Sequence, residues 1–273
     1  VSTFLPRKEL FDLVIIDEAS QMTPAKAFGA IGRSRQLIVV GDENQLPPTS
    51  FFQKSDGDIE EDLDMDADES ILDLALGVWR NPRMLMWHYR SKHEDLIRFQ
   101  NNFIYESKLI IPPSVIGGAS EDYGVKNHFL GDALYLQGGS NNDEAEKIVE
   151  LIVNHSEFKP NKSIGVAVMN VTQSDLVKTK INQELTINRT LAKFIDHWDN
   201  ADDGLNRFFV KNLENVQGDE RDVIIVGTVY GRNKLGERVL QRFPTINTAA
   251  GHRRLNVITT RARDQIHVVT SLR

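Results

Sequence analysis

Residues 11–21 read FDLVIIDEASQ, and this stretch decides the fold. Four consecutive apolar residues, 13–16, are followed by the charged pair Asp17 and Glu18. A short, continuous, β-branched run is typical of a strand buried on both faces of a parallel sheet. Such a strand ends at the carboxyl edge of the sheet, where open α/β folds bind ligands. The stretch therefore predicts a ligand-binding strand end.

The two adjacent carboxylates can perform two different tasks. Asp17 can hold Mg²⁺, a hard ion that takes carboxylate oxygens and keeps several waters. Glu18 can orient or deprotonate a water that attacks a phosphate. This pair resembles the Walker B arrangement of P-loop NTPases. An ordinary strand end with solvated acids is the alternative, because an apolar strand followed by Asp-Glu also arises by chance.

The composition is that of a globular protein with a sizeable core. Of the 273 residues, 40% are hydrophobic and 26% charged, so one large domain or two ordinary domains are expected. The absence of cysteine excludes disulfides and thiolate metal sites and fits a reducing cytoplasm. No apolar run has the length of a membrane span, so we expect no membrane partner. Because the chain does not begin with Met, we expect it to be a piece of a longer polypeptide.

The negative charge is concentrated in an acidic loop at 54–69. Residues 56–69 (DGDIEEDLDMDADE) contain nine acidic residues and no basic one, and removing their charge from the net −7 leaves +2 for the rest of the chain. A mildly basic body is compatible with binding a phosphate backbone. The alternation DLDMDAD is similar to a calcium loop but lacks its Gly at position six and its Glu at position twelve. A solvated, mobile loop is therefore the favoured interpretation.

Strand and helix patterns alternate along the chain, which predicts βαβ units and a parallel sheet. Thr23 and Pro24 suit the N-cap and first residue of a helix. Residues 191–207 are predicted to be irregular, and Asn81-Pro82 is predicted to be a domain boundary. Besides the first strand, we predict strands at 36–40, 84–90, 133–136, 164–169, 208–211, 223–229 and 266–270, and helices at 24–31, 69–78, 91–103, 143–155, 174–185 and 253–263.

A second strand end also carries polar groups. Residues 41–52 read GDENQLPPTSFF, in which Pro47-Pro48 excludes a helix and stiffens the segment that follows. Gln45 is either a turn residue or a sensor of a γ-phosphate that links the nucleotide to a nucleic-acid path.

Five segments occur in the order, and at roughly the spacing, of superfamily 1 helicases. They are DEASQ (17–21), GDENQLPP (41–48), HYR (88–90), NVQGDERD (215–222) and RRLNVITTRAR (253–263). The chain resembles the 5′-to-3′ branch of that superfamily, which includes the nonsense-decay RNA helicase, and looks most similar to large bacterial helicases. The resemblance covers nearly all of the chain except the acidic loop and residues 191–207.

This resemblance implies an α/β fold of the P-loop NTPase class, with RecA-like parallel sheets flanked by helices. Residues 1–82 would be the C-terminal part of a first RecA-like domain, and residues 83–273 a complete second one. ATP and Mg²⁺ would be the cofactors, bound in the cleft between the domains. Single-stranded DNA or RNA would be the partner, with DNA favoured. A nuclease-like domain often follows in such proteins, which are bacterial and cytoplasmic.

The resemblance also implies roles for five catalytic candidates. Asp17 would bind Mg²⁺, Glu18 would position the attacking water, and Gln45 would read the γ-phosphate. Arg90 and Arg261 would be arginine fingers supplied by the second domain, because a planar, always-charged guanidinium suits the charge on phosphoryl oxygens. A salt bridge to a nearby acid is the alternative for Arg90.

Further contacts to nucleotide and nucleic acid are implied by the same motifs. Gln217-Gly218 would make a tight backbone approach to the nucleotide, and Glu220 would lie near the ribose or the γ-phosphate. The role of Arg263 stays open between surface pairing, phosphate contact and helix packing. Because such proteins stack bases on aromatic rings and hold the backbone with basic and N–H groups, the nucleic-acid candidates are Pro48, Thr49, Trp87, Thr228 and Thr260. Core packing is the favoured alternative for Trp87, and a structural position is the alternative for Thr228 and Thr260.

One family motif is absent from the chain. No Gly-Lys-Ser or Gly-Lys-Thr occurs, so there is no GxxxxGK[ST] phosphate-binding loop. In this family the loop lies upstream of DEASQ, and we expect the chain to begin after it. The parent would be an ATP-dependent helicase or translocase on single strands. The alternatives are a nucleic-acid-binding or scaffolding module without catalysis, and an ATPase switch that loads partners without unwinding.

The 273-residue chain alone is predicted to hydrolyse ATP at a negligible rate. Without the backbone N–H cradle and the lysine of the loop, the β- and γ-phosphates lose their main ligands. Phosphate release from ATP, with and without single-stranded DNA, measures this. Clear DNA-stimulated turnover by this chain would contradict the prediction.

Overall fold

The structure is a computed structural model that describes residues 4–6, 8–48, 69–114, 120–136, 138–216, 218–239, 246–247 and 251–272. Thr49, Gln217 and the acidic loop before residue 69 lie outside the described residues. The chain divides into two compact units, Val1–Leu85 with Thr248–Arg253 and Met86–Asn247 with Arg254–Arg273. The assignment of 1–82 and 83–273 to a partial and a complete RecA-like domain stays a prediction.

The first unit contains a two-stranded parallel sheet. Its strands β1 (Phe11–Ile16) and β2 (Ser34–Val39) are connected by α1 (Pro24–Ile31). A second helix, α2 (Ile71–Val78), begins with a capping box in which Ser70 and Asp73 exchange side-chain-to-backbone hydrogen bonds. The helix predicted at 24–31 is confirmed, and the helix predicted at 69–78 begins two residues later than predicted.

β1 is not buried on both faces, so that part of the prediction is wrong. Phe11, Leu13 and Ile15 are 45%, 41% and 60% exposed, whereas Ile16 is 4% exposed. Successive side chains of a strand point to opposite faces. Among the described residues, the covered face carries Val14 and Ile16, which pack in one core with residues of α1 and α2.

The second unit contains a five-stranded parallel sheet in the order β3-β7-β6-β4-β5. The predicted α/β class, a parallel sheet flanked by helices, is confirmed. No helix in the described ranges is both long and apolar enough to cross a membrane. The strands are β3 (Gly124–Phe129), β4 (Ile164–Val168), β5 (Phe209–Asn212), β6 (Arg221–Gly227) and β7 (Ala262–Thr270), and the remaining helices are α3 (Asp95–Phe103), α4 (Asn142–Phe158), α5 (Val171–Ile187), α6 (Arg189–Asn200) and α7 (Gly251–Thr259).

Two predicted strands are wrong, and one strand was not predicted. The segment predicted as a strand at 84–90 forms only an isolated parallel bridge, between Trp87 and Ile110. The segment 133–136 likewise forms isolated bridges only. A strand requires a partner along its length, which the local pattern does not reveal. The unpredicted strand is β3, whose less exposed and more exposed residues alternate along an edge of the sheet.

The prediction that residues 191–207 are irregular is also wrong. Asn188 accepts a hydrogen bond from Leu191 N at 3.0 Å and thereby caps the start of α6. Only Leu191 and Phe194 of this helix are buried, so its apolar pattern is sparse. The helix predicted at 253–263 ends at Thr259, and Arg263 lies in β7.

A histidine pair links the edge strand β3 to β7. His128 Nε2 lies 2.9 Å from His267 Nδ1, and His267 Nε2 lies 3.0 Å from Gln265 Oε1. Burial, together with the nearby charges of His128 and Lys159, lowers the pKa of His267 to about 3. Burial also lowers the pKa of His128. Above pH 6.5 the folded protein therefore holds both rings neutral, with one ring donating to the other.

The free energy of unfolding should fall as the pH drops below about 6.5. Both histidines have lowered pKa values in the folded state and the ordinary value of 6.5 when unfolded. The histidines therefore contribute fully to the free energy of unfolding above pH 6.5. Below that pH, the free energy of unfolding falls by about 1.4 kcal/mol per pH unit for each proton that only the unfolded chain binds. Urea unfolding at pH 7.5, 6.5 and 5.5 measures the loss.

The variant His267→Gln should show a weaker pH dependence, because it removes one of these protons from the unfolded chain. The matched control is His197→Gln, on the exposed face of α6. If His267→Gln loses as much stability as the parent between pH 7.5 and 5.5, the histidine pair is not the source of the pH dependence.

Candidate functional site

The carboxyl ends of β1 and β2 lie side by side. Val40 N donates to Ile16 O at 2.8 Å, and Ala19 N donates to Val40 O at 2.9 Å. The acidic pair that follows β1 and the polar segment 41–45 that follows β2 therefore lie at the same edge of the small sheet. This placement is a consequence of parallel pairing.

Asp17 and Glu18 are exposed, and their backbone is held in a tight conformation. Glu18 has a φ of +52°, in the left-handed region that residues other than glycine rarely adopt. Its N–H donates to Asp17 Oδ1 at 2.9 Å, and its Oε2 accepts from Gln21 Nε2 at 3.1 Å. Strained residues of this kind persist where the surrounding structure fixes them, and they cluster at functional sites.

The chemistry of these two carboxylates fits Mg²⁺. This ion prefers hard oxygen ligands, retains several waters and is often bound by only one or two carboxylates together with substrate phosphates. Across the described ranges, no group of three or more His, Cys, Asp or Glu side chains could hold a metal by itself. Mg²⁺ at Asp17 would therefore take its other ligands from water and from the phosphates of a nucleotide.

Gln45 lies in a turn that follows β2. Its N–H donates to Asp42 O at 3.1 Å, and Asn44 N donates to Asp42 Oδ1 at 2.9 Å. The side chain of Asp42 thus closes an Asx turn, which fixes the position of Gln45 at the sheet edge. Pro48, a nucleic-acid candidate, is buried.

In the second unit, Glu220 joins two arginines. Its Oε2 lies 3.0 Å from Arg90 Nε, and its Oε1 accepts from Arg263 Nη2 at 2.5 Å and from Arg263 Nε at 3.1 Å. The salt bridge that was the alternative for Arg90 is therefore present, and Arg263 belongs to the same network. Burial opposes ionisation of Glu220, but the hydrogen bond and charge of Arg263, with the charges of Arg90 and Arg261, outweigh it and lower its pKa.

Arg261 is buried at the end of α7. It is 3% exposed, its Nε donates to Val257 O at 2.8 Å, and its Nη2 donates to Thr260 Oγ1 at 3.1 Å. The hydroxyl of Thr260 in turn lies 2.7 Å from Asn256 O. Because the charge of Arg261 also lowers the pKa of Glu220, three arginines act on one carboxylate.

Gly218 has a φ of +85°, a conformation that glycine adopts without strain. A Cβ at this position would meet no atom of the described chain within 4 Å. The backbone conformation therefore requires the glycine, and the predicted tight approach to the nucleotide stays a prediction. The neighbouring Gln217 lies outside the described residues.

The remaining nucleic-acid candidates lie in different environments. Trp87 is 65% exposed, so the prediction of core packing is wrong for this ring. Thr228 Oγ1 lies 2.9 Å from Thr270 Oγ1 and 3.3 Å from Glu144 Oε1. Thr228 and Thr260 thus make hydrogen bonds inside the fold, whereas the ring of Trp87 is accessible for stacking.

Sequence reasoning missed Glu144, which lies at the centre of a buried network. Its side chain is fully buried, and its carboxylate accepts from Val229 N at 2.7 Å and from Ser271 N at 2.9 Å. The available signal was the spacing of Asn141 and Glu144, which are the N-cap and the third residue of α4. That spacing resembles a capping box and indicates only a helix start.

The variant Arg263→Gln should raise the pKa of Glu220 more than Arg90→Gln does. Arg263 supplies both a hydrogen bond and a charge to this carboxyl, whereas Arg90 acts through its charge. Carboxyl ¹³C NMR titration of the 273-residue chain measures both values, with Arg189→Gln as a control on α6. Equal pKa values of Glu220 in the Arg90 and Arg263 variants would contradict the bridging arrangement.

Comparison with known proteins shows the family of the chain. Two family models, both described as AAA domain, match residues 2–53 and 67–273. "Uncharacterized ATP-dependent helicase MG140" of Mycoplasma genitalium is 33% identical over 98% of this chain and 24% of the relative. "DNA polymerase alpha-associated DNA helicase A" and "DNA replication ATP-dependent helicase/nuclease DNA2", both of Saccharomyces cerevisiae, are each 26% identical, over 98% and 96% of this chain.

The chain spans only a part of these relatives, namely 39% of the first Saccharomyces protein and 17% of the second. The resemblance to superfamily 1 helicases is confirmed at the level of the family, while the particular likeness to large bacterial proteins stays a prediction. The two AAA-domain models cover nearly the whole chain, and these relatives are named helicases. The chain therefore belongs to the AAA-domain helicase family, in the branch of superfamily 1 that includes the nonsense-decay RNA helicase.

Proposed function

We propose that this chain is part of an ATP-dependent helicase or translocase that moves on single-stranded nucleic acid. The observation that carries the proposal is the action of three arginines, Arg90, Arg261 and Arg263, on the single carboxylate of Glu220. Asp222 Oδ1 also lies 3.8 Å from Arg263 Nη1, so three guanidinium groups face two carboxylates, and the remaining positive charge suits the phosphates of a nucleotide. The helicase relatives support the same conclusion.

In the first unit, Asp17 and Glu18 would act on the nucleotide. Asp17 would hold Mg²⁺, which supplies positive charge next to the phosphates when bound. Glu18 would accept a proton from the attacking water, and the left-handed backbone and the hydrogen bond from Gln21 fix the direction of its carboxylate. Gln45 would read the γ-phosphate from its turn at the adjacent strand end.

In the second unit, Glu220 would keep the arginines in place until phosphate competes for them. The side chains of Arg90 and Glu220 are 39% and 36% exposed, so their salt bridge is accessible to water and weak. A phosphate with more negative charge than one carboxylate could therefore displace Glu220 from Arg90. Arg261 is buried and bound to the backbone of α7, so its guanidinium would be preorganised.

DNA is the favoured track. Two of the Saccharomyces relatives are named for DNA helicase activity or DNA replication, and one of those names includes a nuclease. We extend this to the whole protein that contains the present chain: it would act on single-stranded DNA, and a nuclease-like domain would follow in the same polypeptide.

The test uses a polypeptide that contains this chain together with a phosphate-binding loop of the GxxxxGK[ST] type. We expect ATP turnover that rises with single-stranded DNA. Glu18→Gln should lower the stimulated rate by about 10²–10⁴, as expected for loss of a general base. Arg90→Gln should lower it by about 10³–10⁵ if it acts as an arginine finger. The matched control is Asp12→Asn, whose carboxylate on β1 is 98% exposed.

Three polymers distinguish the possible outcomes: single-stranded DNA, single-stranded RNA and none. Stimulation by one polymer that Glu18→Gln abolishes would support a motor and identify its track. Turnover that no polymer changes would overturn the helicase proposal in favour of a binding or scaffolding module. Stimulated turnover without strand displacement would favour an ATPase switch instead.

A further inference from the structure

A strained turn follows β6 in the second unit. Val229 has a φ of +68°, and Tyr230 N donates to Thr228 O at 2.7 Å. A hydrogen bond from residue i+2 to residue i around a central residue of positive φ defines the rare γ-turn. The turn is especially unfavourable for Val, because a β-branched side chain is a genuine outlier in this region. Such a conformation persists only where its surroundings fix it.

The carboxylate of Glu144 fixes the N-terminal side of this turn. Its Oε2 accepts from Val229 N at 2.7 Å, while its Oε1 accepts from Ser271 N at 2.9 Å and lies 2.8 Å from Ser271 Oγ and 3.3 Å from Thr228 Oγ1. Glu144 and Val229 are both 0% exposed. Burial raises the pKa of Glu144, and the four hydrogen bonds counteract part of this rise.

Asn141 fixes the other side of the turn. Its Nδ2 donates to Val229 O at 3.2 Å, so both peptide groups of the strained residue are held from the first turn of α4. Asn141 is itself anchored, because its backbone N donates to Gln173 Oε1 and its backbone O accepts from Gln173 Nε2, both at 2.8 Å. This buried set of polar groups determines one backbone path after β6.

That path leads into residues 232–238, which contain three basic residues and one acidic residue, Glu237, and which we call the cationic segment. Gly231 lies so close to the residue that follows β7 that a Cβ there would be 2.6 Å from Ser271 Oγ, and Arg232 O accepts from Tyr135 N at 2.8 Å. The segment then becomes exposed. Within the described part of the chain, the side chains of Arg232, Lys234 and Arg238 have no hydrogen-bond or ion-pair partner.

We propose that Glu144 is a positioning residue, which holds the Val229 turn so that the cationic segment can bind the phosphates of single-stranded nucleic acid. This inference rests on the proposed function, since it names a phosphate-binding surface for the same track. Unpaired, exposed Arg and Lys side chains on a fixed backbone gain phosphate contacts and release counterions when a strand binds. The same side chains on a released backbone would lose their fixed position relative to the sheet.

The variant Glu144→Gln tests the positioning role because it keeps the size of the side chain. Each oxygen of Glu144 accepts from a backbone N–H, one from Val229 and one from Ser271. An amide in either orientation therefore places its NH₂ group against a backbone donor that cannot turn away. The matched control is Glu157→Gln, an exposed position on the same helix.

The experiment measures binding of the 273-residue chain to a fluorescent single-stranded oligonucleotide over a range of salt concentrations. Each phosphate contact on a single strand contributes about 0.7 to the slope of log K against log salt. Lys234→Gln should therefore reduce the slope by about 0.7, and Glu144→Gln should reduce it by more than one such contact and weaken binding about tenfold. A merely structural role would lower the active fraction and the melting temperature but leave the salt slope unchanged.

The outcomes separate this inference from the proposed function. If the parent chain binds neither single-stranded DNA nor RNA, the proposed function fails and this inference fails with it. If the parent binds but folded Glu144→Gln keeps its affinity and salt slope, only the inference is overturned. If Glu144→Gln does not fold, the variant Ser271→Ala takes its place, because it removes one hydrogen-bond donor to Glu144. Its affinity and salt slope then test the inference in the same way. Faster hydrogen exchange of residues 229–234 in the variant, together with a smaller slope, would support the proposal.

Discussion

Parallel strand pairing is the constraint on which the rest of the structure depends. In the second unit, the register places Gly227 of β6 beside Val168 of β4 and Val269 of β7. The residues that follow these strands therefore leave the sheet at one edge, where the polar starts of α4 and α5 also lie. In the first unit, the same geometry brings the acidic pair after β1 next to the segment after β2. Ligand-binding residues lie at this edge because all strands of a parallel sheet have their carboxyl ends on the same side.

Two carboxylates of the second unit show how environment determines the use of an acid. Glu144 is fully buried among neutral donors, so it serves as a fixed acceptor for the strained backbone at Val229. Glu220 is partly exposed among arginines, and its pKa is lowered by their charge. A buried acceptor that satisfies several donors rigidifies its surroundings. A half-exposed ion pair is weak and exchangeable, which suits a site where charged ligands compete.

The structure accounts for the two kinds of residue in the helicase motifs. Some motif residues are exposed and available to a ligand, as Asp17 and Glu18 are. Others, such as Thr260, are bound into the end of α7 and hold that region in shape. A motif read from sequence therefore combines ligand contacts with structural supports. The family relationship shown by the comparisons applies to the whole pattern and does not assign either role to a single residue.

The sequence by itself determined the fold class, the parallel sheet and the family, because short β-branched runs and the five ordered motifs are local features of the chain. It could not determine which strands find partners: residues 84–90 have a strand pattern but only one bridge, and β1 is covered on one face. Nor could it identify Glu144, whose neighbours Val229 and Ser271 are 85 and 127 residues away along the chain. Only the tertiary structure decides such contacts, because burial and hydrogen bonding between distant segments depend on how the whole sheet is assembled.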